Sequence, residues 1–107
     1  MRVVNEWNGE VENIKFVASK YANNGSLAVQ AYCEDGEPYA TITVNLPDSD
    51  MNGENMAFLD TNNCDSLIRQ MADAGYVELL PMYVNSGFCS YPLGAFTDKF
   101  FESEVVA

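Results

Sequence analysis

Two turn signals lie one strand apart in this chain, and they constrain its fold more than any other feature. Asn23-Asn24-Gly25 and Glu34-Asp35-Gly36-Glu37 offer residues that tolerate positive φ or hydrogen-bond their own backbone. Between them SLAVQAYC, residues 26–33, alternates so that Leu27, Val29, Ala31 and Cys33 share one face. Beyond the second signal YATITVNL, residues 39–46, is rich in β-branched side chains and puts Ala40, Ile42, Val44 and Leu46 on one face. Reversals this short join antiparallel strands, because a parallel pair needs a long crossover. Residues 10–20, EVENIKFVASK, alternate more loosely, with Val11, Ile14, Phe16 and Ala18 directed inward. The three segments predict an antiparallel meander.

The second half carries a helix. After a short strand at 56–60, Asn62 or Asn63 is the expected N-cap, and Asp65 lies near the positive end of the helix dipole. The helix spans about 64–74, with Leu67, Ile68, Met71 and Ala72 as its apolar stripe and Gly75 at C′. Segments 76–84 and 87–91 read as strands, and Pro81 and Pro92 mark them as edge or interrupted ones. The tail FFESEVVA is expected to add a strand or to hang loose. The 107 residues therefore predict one α+β domain: an antiparallel sheet with one helix packed on one face.

Charge excludes several functions. Sixteen acids face five bases, Arg2, Lys15, Lys20, Arg69 and Lys99, for a net −11. Nucleic acid and anionic membrane surfaces are poor direct ligands for such a chain, since both are held by cations. No histidine is present, which removes the usual Ser-His and Cys-His pairings and the commonest metal ligand. No glycine-rich phosphate loop occurs. Cys33, Cys64 and Cys89 are odd in number and widely spaced, so reduced thiols are expected rather than zinc or disulfides. No secretion signal or apolar run of membrane-spanning length is seen. A non-enzymatic, cofactor-free cytoplasmic protein is the expectation.

PDSDMNGENMAFLD, residues 47–60, sets Asp48, Asp50, Asn52 and Gly53 in the register of a calcium loop. The twelfth position, where such a loop needs a bidentate Glu, is Leu59, and Pro47 stands before the first acid where a helix should end. A surface loop is the better reading. Asp48, Asp50, Glu54, Asp60 and Asp65 follow one another without an intervening base, and Glu34, Asp35 and Glu37 form a second acidic group. Eleven charges equal those on about 19 Å of duplex DNA. Either the acidity serves solubility, or these side chains replace phosphates on a basic protein surface. Trp7, Phe100 and Phe101 are the aromatics placed to form an interface, including one that pairs two chains.

Three stretches, YANNGSLAVQAYCEDGEPYATITVNLPDS (21–49), AFLDTNNCDSLIRQM (57–71) and SGFCSYPLGAF (86–96), resemble an uncharacterised small-protein family, a domain of unknown function carried on plasmids, conjugative transposons and phages. The resemblance covers most of residues 14–96 and leaves 97–107 as a tail. VELLPMYVN departs from it, being apolar where polar or basic residues are expected. The resemblance implies no catalytic residues. It implies a setting in which small acidic proteins act as counter-defence factors, including anti-CRISPR inhibitors of RNA-guided nucleases, whose channels are basic. Asp48, Asp50, Glu54, Asp60, Glu34, Asp35 and Glu37 are then the partner-binding residues. The alternative is an accessory interaction protein of a conjugative element.

Overall fold

The fold is that of a computed structural model describing residues 1–5, 7–21, 26–46 and 55–105. Among these residues eight strands and two helices follow in the order β1 (Arg2–Val4), β2 (Val11–Lys20), β3 (Leu27–Cys33), β4 (Pro38–Thr41), β5 (Thr43–Val44), β6 (Met56–Leu59), α1 (Thr61–Asp73), β7 (Val77–Ser86), β8 (Cys89–Phe96) and α2 (Asp98–Ser103). The class is α+β and the pairing is antiparallel throughout the named strands. The expected single meander is instead two four-stranded sheets, ordered β1-β2-β3-β4 and β5-β6-β8-β7.

The strand read at 39–46 divides between them. Ile42, fully buried, donates its N–H to the Val29 carbonyl in the first sheet and accepts from the Asp60 N–H in the second, each at 2.9 Å. One extended segment thus serves both sheets by spending its donor on one side and its acceptor on the other. Thr43 follows, 3% exposed, with its hydroxyl oxygen 3.1 Å from the Val29 N–H and 3.0 Å from the Tyr21 hydroxyl. Satisfied in this way, a hydroxyl can sit in the core at small cost.

One hydrophobic core joins both sheets and both helices. Ile14, Phe16, Val29 and Ala31 from the first sheet meet Ala57, Leu59, Val77 and Phe96 from the second, with Leu67, Ile68 and Met71 of α1 between. Val11, expected inward, is instead half exposed, because β2 pairs there only with the short β1. The tail is neither strand nor loose end. Thr97 caps α2 by accepting from the Phe100 N–H, and Phe100 enters the core at 0% exposure, its ring 5.0 Å from Phe96 and 5.2 Å from Phe16. Phe100 therefore cannot serve the interface expected of it. Val105 then forms a parallel bridge to Phe16.

Helix α1 begins earlier than expected. Asp60, not Asn62 or Asn63, caps it by accepting from the Asn63 N–H. A non-helical Cys64 separates this first turn from the regular helix. The far end follows expectation: Gly75, at φ +83°, donates to the Ala72 carbonyl while the Tyr76 N–H reaches Met71, the paired bonds of a Schellman ending.

The two prolines act differently. Pro81 lies on β7, an edge strand, within its register shift. Pro92 lies on β8, which is central, but one residue beyond the last β6 pair at Leu93. Residues 83–86 and 89–92 consequently pair only with each other, forming an arm turned at Gly87 (φ +63°) and Phe88.

Candidate functional site

The expected site residues fall into three groups. Asp48, Asp50 and Glu54 lie outside the described residues. Asp60 is half-buried and occupied, since its carboxylate accepts from both the backbone N–H and the Nδ2 of Asn63. Glu34, Asp35 and Glu37 are exposed in the β3–β4 turn. That turn is built locally. Asp35 accepts from the Glu37 N–H at 3.0 Å, Gly36 at φ +93° donates to the Cys33 carbonyl, and Cys33 donates to Glu37.

A fourth acid, which sequence reading missed, joins the turn. Glu12 lies on β2 and accepts from Asn5 Nδ2 at 3.4 Å, while Asn13 beside it donates to Glu34 at 3.5 Å. The Cys33 thiol records the result: burial, and then the charges of Glu12, Asp35 and Glu37, push it up. Tyr39 is raised likewise, by burial first and then by the charge and hydrogen bonding of Glu12. A pattern reading of β2 could have flagged Glu12, since it occupies an inward-parity position next to Ile14 where an acid must sit at a rim.

A second acidic pair flanks α1. Cys64 is pushed up to about 12 by burial and then by the Asp60 and Asp65 charges. Its Sγ lies 3.0 Å from the Asp60 carbonyl and 3.5 Å from the Thr41 carbonyl of β4, so this end of the helix abuts the strand that follows the acidic turn. Among the described residues the ion pairs are Met1 N-terminus to Glu104 and Arg69 to Asp65. Glu12, Glu34, Asp35, Glu37 and Asp60 are in neither.

A cleft of about 400 Å³ has Asp65 of the second acidic pair in its lining. Its walls are the β1–β2 turn with Trp7, the start of β4 with Tyr39, and the first turns of α1 with Asn62, Asn63 and Asp65. Gln70 closes one end by bonding both backbone groups of Val4, its Oε1 accepting at 2.9 Å and its Nε2 donating at 3.1 Å. This occupies part of the free edge of β1 as another strand would. Trp7, expected at an interface, is 96% exposed.

The thiols at Cys33 and Cys64 are pushed away from the thiolate form that reactive cysteines need. Among the described residues no group of three or more Cys, Asp or Glu is arranged to hold a metal ion. No helix there is long and apolar enough to cross a membrane.

Comparison with known sequences gives one match: the sequence model of a family described as a domain of unknown function, DUF4313, matches residues 16–103. Neither the curated proteins nor the solved structures yield a match.

Proposed function

Because the chain belongs to the DUF4313 family of domains of unknown function, a membership that assigns no chemistry, we propose its role from its surface. It is a small non-enzymatic inhibitor that docks its acidic end on a basic, nucleic-acid-holding surface of a protein partner. The mobile-element setting implied by the sequence resemblance makes an RNA-guided nuclease of a bacterial host the partner class, and an anti-CRISPR role the outcome. The observation that supports this most is the gathering of Glu12, Glu34, Asp35 and Glu37 at one end of the first sheet with no ion pair among the described residues. Carboxylates left unneutralised in this way can replace phosphates opposite Lys and Arg, and a net charge of −11 speeds the encounter.

Cleavage assays across a panel of RNA-guided nucleases, run over a salt series, test this reading. Inhibition of at least one member is expected, weakening as salt rises. The triple variant E34K/D35K/E37K should need at least about tenfold more protein for the same effect. A panel left wholly uninhibited at low salt would remove the proposal.

A second reading, an accessory interaction protein that pairs with itself, is favoured by the β7–β8 arm. Leu79, Met82 and Tyr83 are exposed on its edge strand β7 and Phe88 at its turn, and Glu78 is the one charged residue between Val77 and Phe96. Such edges invite strand pairing. Light scattering at micromolar concentration should then report a dimer that Tyr83→Lys dissociates.

A further inference from the structure

We propose that the cleft between the β1–β2 turn, β4 and the start of α1 receives an arginine side chain from a protein partner. The inference rests on the reading that the partner is basic, and it names the group by which that partner is gripped.

The lining offers a guanidinium an aromatic face, amide oxygens and a carboxylate. Trp7 supplies an indole that is 96% exposed, on a turn held by its own N–H donating to Asn5 Oδ1 at 2.9 Å. Among side chains an indole face is the best cation–π acceptor. Tyr39 lines the same cleft, and the Glu12 carboxylate acts on it and accepts from Asn5, so negative charge stands behind the aromatic wall.

Two of the polar groups left over are acceptors. Asn62 spends an N–H on the Ser90 carbonyl at 3.5 Å, and Asn63 spends one on Asp60 at 2.9 Å. Their side-chain oxygens have no donor among the described residues. Asn5 Oδ1 is already occupied by Trp7, and the Gln70 amide by Val4 and Ser66. A ligand with several donors can use these oxygens together with the Asp65 carboxylate, and arginine presents five donors in a flat fork.

Asp65 provides the charge. Its carboxylate already binds one guanidinium, Arg69 Nη2, at 2.9 Å, with both side chains more than half exposed. Exposed pairs of this kind are weak, so a partner's arginine can compete with Arg69 for the Asp65 carboxylate. Lysine fits less well, because a compact ammonium neither stacks flat nor reaches several oxygens at once.

Trp7 is the only tryptophan in the chain, so its fluorescence reports this cleft directly. Titrating the full chain with N-acetyl-arginine amide should give a saturable change in emission. N-acetyl-citrulline amide, the uncharged isostere, should need at least about tenfold higher concentration, and the lysine analogue about three- to tenfold higher. Asp65→Asn should weaken the arginine response about tenfold. Because Asp65 is exposed, this variant keeps the fold, which an unchanged melting temperature checks. Absence of saturation, or an equal response to citrulline, overturns the inference. Two results separate it from the functional reading. Arginine binding without inhibition of any nuclease leaves the cleft standing and removes the inhibitor. Inhibition lost in E34K/D35K/E37K but unchanged in Asp65→Asn, with no arginine response, does the reverse.

Discussion

Phe100 shows how much a single side chain contributes here. It touches Phe16, Phe96 and Phe101 at centroid distances of 5.2, 5.0 and 5.4 Å, so it ties α2 to both sheets. Phe100→Ala should cost about 3–5 kcal/mol in urea unfolding. Gly94 is as constrained in the opposite sense. A Cβ there would stand 2.5 Å from Leu59 Cδ1 and 3.1 Å from Val77 Cγ2, and Gly94→Ala should cost about 1–3 kcal/mol. Glu104 sets the acid limb of stability. Burial would raise its carboxyl, but hydrogen bonds from the N-terminal ammonium and Tyr76, with the ammonium and Lys99 charges, outweigh burial and hold it below the usual range. A lowered folded-state value contributes stability that is fully present above the unfolded value, about 4.3, and is lost as pH falls through the folded one. Melting temperatures of wild type and Glu104→Gln should therefore differ at pH 6 and converge toward pH 3. Burial and two carboxylates push Cys64 up to about 12, so alkylation at neutral pH should run at least about tenfold slower than at a free thiol.

At the scale of elements, α1 was readable because its signals are local. The stripe of Leu67, Ile68 and Met71 and the glycine ending need only neighbours in sequence, and both occur as expected. Its start shifted because four residues able to cap, Asp60, Thr61, Asn62 and Asn63, stand in a row, and the one that closes on the Asn63 N–H is chosen by where β6 delivers the chain. Asp60→Ala should cost about 0.5–2 kcal/mol, measurable by thermal unfolding. The strand at 39–46 was recognised as extended, but its division at Ile42 was not. A residue that donates to one sheet and accepts from another looks, in sequence, like any strand residue. The acidic turn at 34–37 was legible from EDGE alone. Glu12 could be flagged by its position on β2, but that it joins this turn could not be read, because the two meet only through the β2–β3 register.

For the whole molecule, composition and pattern sufficed for the α+β class, the antiparallel pairing, and an acidic surface poor in balancing cations. Each of these depends on short-range backbone preference or on a simple excess of one charge. Tertiary structure alone decided that there are two sheets, that the tail is a helix locking Phe100 into the core, and which carboxylates stand together. It also decided that Trp7, Tyr39 and the first turns of α1 enclose a cleft. Those outcomes turn on contacts between segments tens of residues apart. The closure entropy and packing that select among them have no counterpart in local pattern.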